Sequence, residues 1–372
     1  KSKDVRQDVE RAKQTGAPIS PYRTDRSRIS GPLKSDLAPI ARFARSDADG
    51  LDGLVAAVRA RYRGRCPVLS VMNLKGGVGK TTVSAQLSGM LQTGRTKRVL
   101  LVDFDPQYNL TQTFFPMEQA DASAAIDRSV ISLFERSRLH AQDAPSPADD
   151  WSTISLAPFA PAPRDNFMHD LLGVDGPDGR LDLITGQFEI SKYAFSTDAD
   201  ALKAVKRNFI STIDHYRGAY DLIIFDTNPN ATFLTQCALE ASDRVLAPMH
   251  ADVYSLRGVK LLNRVIHDQV SEDNRPRLSV MFNAVNRNEQ SDFEADARNA
   301  DFDDKVGFTL SRALMGAALP RSGHMQIRPP TEEEPAWRRL LAHHGRGGGL
   351  RAMRESLAAA ATELQGLMDE TV

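Results

Sequence analysis

The sequence has few cysteines and no long apolar run. Only Cys66 and Cys237 occur in 372 residues, and neither has a metal-ligand spacing. A zinc site or a disulfide framework is therefore not predicted, and we expect a protein of the reducing cytoplasm. No segment approaches the roughly 20 consecutive apolar residues of a membrane-spanning helix, and the polar first residues lack a signal-peptide pattern.

Charge is unevenly distributed along the chain. The net charge is −1, yet residues 1–65 hold 15 Lys/Arg against 8 Asp/Glu, which gives +7 and leaves −8 for the remainder. We interpret residues 1–65 as a basic N-terminal arm, partly disordered, with a short helix at 51–62. Such an arm is typical either of a segment that binds an anionic partner or of a solvated tail. Residues 66–372 form the second predicted unit, an enzyme domain that includes C-terminal helices.

Short apolar strands alternate with helical patterns from Pro67 onward. This alternation predicts an α/β fold with a doubly wound, mainly parallel sheet covered by helices on both faces. Residues 118–165, acidic and then rich in Pro and Ala, are predicted to be a surface excursion. The predicted strands are 68–72, 99–102, 181–184, 222–225, 244–248 and 278–282, and the predicted helices are 81–91, 201–216, 231–241, 254–269, 335–343 and 350–368.

A glycine-rich loop lies between the first strand and the first helix. Residues 75–82 read KGGVGKTT. Glycines let backbone N–H groups turn toward phosphate oxygens, and the positive end of the following helix points at them. Lys80 would supply a charge to the β- and γ-phosphates, and the Thr81 hydroxyl a ligand to Mg²⁺. The predicted nucleotide-binding residues in this loop are Gly76, Gly77, Val78, Gly79, Lys80, Thr81 and Thr82.

Carboxylates and an amide follow three other predicted strands. Asp103 and Asp105 leave the second strand on the same side, where one such group can orient a water or hold Mg²⁺ through water. The strand 222–225 ends at Asp226, the layout of a Walker B aspartate beside Mg²⁺. Asn283 ends a later strand, and its side chain suits either an adenine edge or a loop cap.

These motifs resemble the ParA/MinD superfamily, whose deviant Walker A motif is KGGxGK[ST]. The segment DFDPQYN at 103–109 is similar to the ParA signature DxDPQGN. The resemblance implies a Mg-ATP-dependent ATPase that sandwiches ATP in a homodimer, with Lys75 reaching the partner's γ-phosphate. It also implies that Asp105 activates water and that Asp103 supports the metal shell. Two departures are Tyr108, where the family has glycine, and TNPN at 227–230, where ParA has CPPS.

The ParA-type resemblance also implies a biological role. Members bind DNA nonspecifically as ATP dimers, and a ParB-like or other adaptor stimulates hydrolysis that is slow without it. Partition or positioning of DNA or protein cargo follows, with the protein on the nucleoid in its ATP state. Nonspecific binding requires Lys/Arg on one face. The candidates are Arg257, Lys260, Arg264, Arg287 and Arg351.

The sequence also leaves open other classes of ATPase that act on a different effector. A MinD-like membrane-positioning ATPase would end in a basic amphipathic helix, whereas residues 357–372 are acidic and Ala-rich. A nitrogenase-reductase-like protein would need cluster-bridging cysteines, and Cys66 and Cys237 are misplaced for that. A synthetase would need an acid-substrate pocket, which no motif indicates. A signalling or defence ATPase with a protein effector is kept open by the TNPN loop and the arm.

Overall fold

The computed structural model describes most of the chain from Cys66 onward. The described residues are 22–23, 43–44, 66–95, 98–172, 179–286, 291–293, 295, 309–327, 340–343 and 348–370. The chain divides into two units, Lys1–Arg65 and Cys66–Val372. In the first unit, the two-residue strands Tyr22–Arg23 and Phe43–Ala44 pair in parallel. The helices predicted at 51–62 and 335–343, apart from residues 340–343, lie outside the described residues, as does Arg287.

The described part of the second unit is built on an eight-stranded sheet. Its strands are β1 (Val68–Val71), β2 (Arg98–Phe104), β3 (His169–Asp170), β4 (Arg180–Ile184), β5 (Leu222–Thr227), β6 (Arg244–Met249), β7 (Arg277–Val285) and β8 (Leu319–Pro320). The spatial order is β8-β7-β6-β1-β5-β2-β4-β3, and only the β3–β4 pair is antiparallel. The predicted doubly wound, mainly parallel sheet is therefore confirmed, with an antiparallel edge strand added.

Helices follow most of the strands. They are α1 (Lys80–Arg95), α2 (Asn109–Phe114), α3 (Met117–Ala125), α4 (Arg164–Phe167), α5 (Lys192–Phe195), α6 (Ala199–Arg217), α7 (Phe233–Ala241), α8 (Val253–Gln269), α9 (Leu310–Ala313) and α10 (Gly348–Asp369). In the described residues, no helix is both long and apolar enough to cross a membrane. Parallel strands joined by helices bring the carboxyl ends of the strands to one edge of the sheet, where ligands of such folds bind.

The sheet separates two apolar cores because successive strand residues face opposite sides. In β5, Ile223 and Phe225 belong to one core, whereas Leu222 and Ile224 belong to the other. The first core packs against α6, α7 and α8, and the second packs against α1 and α10. Helices α8 and α10 therefore lie on opposite faces of the sheet.

The predicted surface excursion at 118–165 is only partly correct. Its first residues form α3, and the following 3₁₀ helix, Val130–Leu133, is fully buried in the first core together with Phe134. The Lys192 ammonium reaches the Glu135 carboxylate at 2.6 Å, and both side chains are about 1% exposed. The acidic and Pro-rich composition concealed this short apolar run, VISLF, which is long enough to bury and too short to show a period.

A buried guanidinium fixes the start of the sheet. The Arg217 Nη1 lies 2.7 Å from Asp243 Oδ2, and the same carboxylate oxygen accepts the Val68 N–H at 2.8 Å. Arg217 also donates to the carbonyls of Cys66 and Ala241. Breaking a buried pair leaves an uncompensated charge, which is far more costly than losing an exposed pair.

We predict that Arg217→Met lowers the free energy of unfolding by about 3–5 kcal/mol, because the buried Asp243 carboxylate loses its guanidinium partner. Urea denaturation of the nucleotide-free protein measures it. The matched control is Arg98→Met, which removes a half-exposed guanidinium 3.0 Å from Asp221 and should change stability by less than about 1 kcal/mol. Equal losses for the two variants would contradict the assignment.

Candidate nucleotide site and its switch

The loop between β1 and α1 has the backbone of a phosphate cradle. Gly77 and Gly79 have φ angles of 75° and 85°, in the left-handed region that glycine adopts without strain. A Cβ at Gly79 would lie 2.4 Å from the Asn283 Nδ2, which donates to the Val78 carbonyl at 2.8 Å. The side chain of Asn283 therefore braces the loop from β7. Its adenine contact stays a prediction.

Lys80 opens α1 with its ammonium at the loop. The side chain is 8% exposed, and its Nζ donates to the Lys75 carbonyl at 3.3 Å. Burial lowers the pKa of Lys80, while the charges of Asp226 and Asp105 oppose that shift. Thr81 and Thr82 follow in the first helical turn, each half-buried. The Lys80 ammonium is thus already positioned at the loop, where it can form charge-assisted hydrogen bonds to phosphate oxygens.

The Asp226 carboxylate lies fully buried at the end of β5. Its Oδ1 accepts from the Ser84 hydroxyl at 2.8 Å, and Thr81 bonds to the same carboxylate. Its Oδ2 has no hydrogen-bond partner among the described residues. Burial raises the pKa of Asp226 to about 7. A buried orphan carboxylate oxygen beside a threonine hydroxyl fits a hard cation such as Mg²⁺, which prefers oxygen ligands. Thr81 and Asp226 are thus the residues that would hold the ion.

Asp103 and Asp105 lie near each other but make different contacts. Asp105 Oδ1 accepts the Gln107 N–H at 2.9 Å, and burial raises the pKa of this carboxyl. Asp103 is fully buried, and its Oδ2 accepts both the N–H and the hydroxyl of Thr111 at 2.7 Å. These contacts favour a positioning role in which Asp103 holds the switch segment, residues 103–115. Its predicted support of the metal shell stays a prediction.

Tyr108 has a left-handed backbone, with φ and ψ both 41°. A non-glycine residue in this region costs about 1–2 kcal/mol. The position precedes α2 and follows Asp105, whose carbonyl accepts the Tyr108 N–H at 2.8 Å. The glycine of the family pattern is explained by this conformation. The tyrosine instead stiffens the turn and adds a ring, whose hydroxyl lies 3.7 Å from the Met117 sulfur.

The Lys75 side chain points to α8. Its ammonium lies 2.9 Å from Asp252 Oδ1, 3.0 Å from Asp252 Oδ2 and 3.1 Å from the Ser255 hydroxyl. Asp252 is also the N-cap of α8, accepting the Ser255 N–H at 2.8 Å. Gly258 permits this packing, because a Cβ there would lie 2.4 Å from Asn73 Oδ1 and 3.2 Å from Lys75. Lys75 is thus paired within its own subunit.

The predicted DNA-contact residues do not form one patch. Arg257 and Arg264 are exposed on α8, with the half-buried Lys260 between them at helical spacing. Arg351 lies on α10, on the other face of the sheet, 2.9 Å from Glu355. Arg264 lies 3.4 Å from Asp268. The face of α8 is one candidate anion surface, and Arg351 belongs to another.

Sequence reasoning missed three residues of the site. Ser84 stands one turn after Lys80 and contacts Asp226, and its position on the inner face of α1 was the available signal. Asp252 and Ser255 form a D-x-x-S sequence at the start of a helix, which is a capping pattern. That pattern predicts a helix start but not the ion pair with Lys75, because the pair spans 177 residues of sequence.

The cradle, the buried aspartate and the parallel sheet define a P-loop nucleotide-binding domain. Residues 66–280 match the family model described as an AAA domain, AAA_31. The chain belongs to this family, as a ParA/Soj-type P-loop ATPase.

Similar proteins are known from several organisms. The sporulation initiation inhibitor protein Soj of Bacillus subtilis is 33% identical over 53% of this chain and 64% of its own length, just under two thirds. The chromosome-partitioning ATPase Soj of Thermus thermophilus is 27% identical over 73% of this chain and 92% of its own. The structure of pNOB8 ParA bound to nonspecific DNA aligns with a TM-score of 0.52 at 23% identity, covering 81% of this chain and 99% of that one, which shows a shared fold.

We predict opposite effects of Asp226→Asn on stability and on metal dependence. The pKa of Asp226 is about 7 in the folded protein and 3.8 in the unfolded chain. Between these two pH values the folded protein binds more protons than the unfolded chain, so the free energy of unfolding falls as the pH rises from about 4 to about 7. The neutral amide should therefore stabilise the nucleotide-free protein at pH about 8, and much less at pH about 5. Thermal unfolding at the two pH values measures this.

The same variant should lose the gain in nucleotide affinity that Mg²⁺ provides. Titration of a fluorescent ATP analogue with Mg²⁺ or with EDTA tests it. Asp182→Asn is a matched control, since that carboxyl is also buried, has a raised pKa and is bonded to Arg164 and Tyr220 away from the loop. A full Mg²⁺ effect in Asp226→Asn would refute the metal assignment.

Proposed function

We propose that this chain is a Mg-ATP-dependent dimerising switch that binds DNA nonspecifically in its ATP state and drives partition or positioning of cargo. The observation that supports it best is the orphan oxygen of Asp226 beside Thr81, Ser84 and the Lys80 ammonium. Together with the glycine-lined loop, these residues supply the groups that a bound Mg-ATP requires. Nucleotide binding to the loop residues Gly76 to Thr82 follows from the same arrangement.

Hydrolysis is assigned to Asp105. Bound Mg²⁺ would neutralise phosphate charge, held by Thr81 and Asp226. Asp105 orients the attacking water from the start of the switch segment, and burial raises the pKa of its carboxyl, which favours a role as the group that takes the proton. Lys80 holds the β- and γ-phosphates. Asp103 holds the switch segment in position by accepting two hydrogen bonds from Thr111. Slow turnover without a partner is expected, because the Tyr108 turn must reposition Asp105.

Dimerisation depends on where the Lys75 ammonium lies. Within one subunit it is paired with Asp252, at 30% and 35% side-chain exposure. Ion pairs this exposed contribute little, about 1 kcal/mol or less. A partner subunit's γ-phosphate offers a stronger anion, so ATP can draw Lys75 across the interface. The ion pair with Asp252 then represents the resting state.

DNA and a stimulating protein are the proposed partners. The relative pNOB8 ParA is described as bound to nonspecific DNA. On this chain, Arg257, Lys260 and Arg264 present cationic side chains on one face of α8. In the ATP state the protein would then associate with the nucleoid in the cytoplasm, until a ParB-like or other adaptor stimulates hydrolysis. Membrane attachment is not favoured, because α10 buries its apolar face, including Leu357 and Leu364, in the second core.

We predict opposite effects for substitutions of the two residues in the Lys75–Asp252 pair. Lys75→Ala should bind ATP yet fail to dimerise productively, because the charge for the partner's phosphate is lost. Asp252→Asn keeps an N-cap for α8 and frees Lys75, so ATP-dependent dimerisation should tighten by a few-fold. Sedimentation at graded ATP measures both. Normal dimerisation and turnover in Lys75→Ala would show that the lysine acts within one subunit only.

We predict that duplex DNA binding requires ATP and falls steeply with salt, since each phosphate contact releases counterions. Fluorescence anisotropy with ATP, ADP or no nucleotide, at rising salt, measures the slope. Removing Arg257 or Arg264 should reduce that slope by about one each. Arg351→Ala tests the opposite face of the sheet: an unchanged slope assigns the DNA contact to α8, and a slope reduced by about one assigns it to the surface of α10. Two results would contradict the DNA assignment: DNA binding that does not depend on nucleotide, and no DNA binding although ATP still drives dimerisation. Either result would favour a protein effector instead of DNA.

A further inference from the structure

Asn228 is a buried polar residue that the proposed function does not use. It follows Asp226 by two positions, just beyond the carboxyl end of β5, and it is only 7% exposed. The ParA pattern has CPPS where residues 227–230 read TNPN, so a proline without a side-chain donor corresponds to Asn228. Buried amides normally have hydrogen-bond partners. The contacts of Asn228 therefore show which part of its side chain serves the fold and which part does not.

The carbonyl oxygen of the Asn228 side chain serves the loop before α7. This Oδ1 accepts the Asn230 N–H at 3.2 Å, across the intervening Pro229, whose ring restricts φ. The Asn230 carbonyl in turn accepts the Thr232 N–H at 3.2 Å and the Thr235 hydroxyl. The loop is thereby tied to the first turn of α7. These contacts restrict the orientation of the Asn228 amide.

The amide nitrogen of Asn228 has no such role. Within the part of the chain that the structure describes, its Nδ2 makes no hydrogen bond. Among the same residues, Oδ2 of Asp105 also makes none, whereas its other oxygen accepts the Gln107 N–H. Neither atom is fully enclosed by protein. A donor and an acceptor are thus open to a ligand at the carboxyl edge of the sheet, where ligands of such folds bind.

Strand pairing brings these two side chains next to each other. Strands β2 and β5 pair in register up to their last residues, Phe104 and Thr227. One position further along each strand are Asp105 and Asn228, and neighbouring strands lie about 4.8 Å apart. Side chains alternate between the two faces of a sheet, which places Asn228 on the face of Asp226. The open donor and the open acceptor are therefore neighbours on the side of the sheet that holds the phosphate loop.

The Lys80 ammonium relates this pair to the phosphates. Burial raises the pKa of the Asp105 and Asp226 carboxyls, and the charge of Lys80 opposes the shift in both. The ammonium thus lies within electrostatic range of the carboxylates on either side of Asn228, one across the strand pair and one along the chain. A γ-phosphate held by Lys80 would bring anionic oxygens to the same edge, where the Asn228 amide supplies a donor.

We propose that Asn228 is a further catalytic residue for ATP hydrolysis, and that its Nδ2 donates a hydrogen bond to an oxygen of the γ-phosphate. The proposal rests on the proposed function, in which Asp105 orients the attacking water. ADP has no γ-phosphate, so this hydrogen bond is made with ATP and not with ADP. Asn228 therefore contributes both to the rate of hydrolysis and to the distinction between the two nucleotides.

Asn228 takes part in the reaction without giving up a proton. The water oxygen forms a bond to the γ-phosphorus, and its proton passes to Asp105. The bond from the γ-phosphorus to the bridging oxygen breaks, and its electron pair stays on ADP. A fixed amide donor stabilises the charge on the γ-phosphoryl oxygens as these bonds change. The loop contact through Oδ1 holds that donor in place before ATP binds.

The test compares Asn228→Asp with Asn230→Asp in the full chain. The aspartate at position 228 keeps an oxygen for the Asn230 N–H, but it removes the donor and repels the γ-phosphate. Single-turnover hydrolysis of Mg-ATP should slow about 100-fold or more. Affinity for a fluorescent ATP analogue should fall, whereas affinity for the matching ADP analogue should stay within about twofold. Asn230 is exposed and contributes backbone atoms to the described contacts, so its variant should keep the rate within about threefold.

A purely structural role of Asn228 predicts a different pattern. Asn228→Asp would then keep the rate, because the loop contact is retained, and only Asn228→Ala would lose it. That pattern, an equal loss of rate in Asn230→Asp, or an equal loss of ATP and ADP affinity would overturn the proposal. If the unsubstituted chain hydrolyses ATP and the Asn228 variants match it, this inference fails and the proposed function stands. If the unsubstituted chain does not bind ATP, both fail.

Discussion

The proposed function depends on one buried carboxylate, that of Asp226, which within the described part of the chain is bonded to hydroxyl groups and not to a cation. Asp226 lies at the carboxyl end of β5, and Ser84 and Thr81 hydrogen-bond to its carboxylate. Burying such a group without a cation is unfavourable, which is why its pKa rises to about 7. In the proposed Mg-ATP state, a divalent ion beside the Asp226 carboxylate would relieve this penalty. The buried carboxylate thus lowers the stability of the nucleotide-free protein at neutral and higher pH.

The other charged groups of the site divide into those held in place and those able to move. Asp103 accepts two hydrogen bonds from Thr111, which hold the switch segment in position. Asp105, two residues further on, accepts a local hydrogen bond from the Gln107 N–H and lies just before the turn at Tyr108. Lys75 is paired at an exposed position and can leave its partner at small cost. A rigid anchor beside mobile groups is the arrangement a nucleotide switch requires.

Much of this fold could be predicted from the sequence, because its strands are continuous apolar runs and its functional loops contain recognisable glycine and aspartate motifs. KGGVGKTT predicts the cradle at Gly77 and Gly79, and IIFD predicts the strand β5 with Asp226 at its carboxyl end. Contacts between distant segments could not be predicted. The ion pair of Lys75 with Asp252 and the bracing of Val78 by Asn283 depend on tertiary packing, which no local pattern encodes. The burial of Val130–Leu133 was concealed by acidic and proline-rich surroundings.

Two chains of side-chain contacts connect the nucleotide site to different surfaces of the domain. One passes through Lys75 to α8, which carries the exposed arginines and the apolar Val253 and Tyr254 at its start. The other passes through Asp103, Thr111 and Gly186 to the cleft between α3 and residues 186–189. Because both routes begin within the same short loop and switch segment, a change at the phosphate cradle can reach two separate surfaces of the domain.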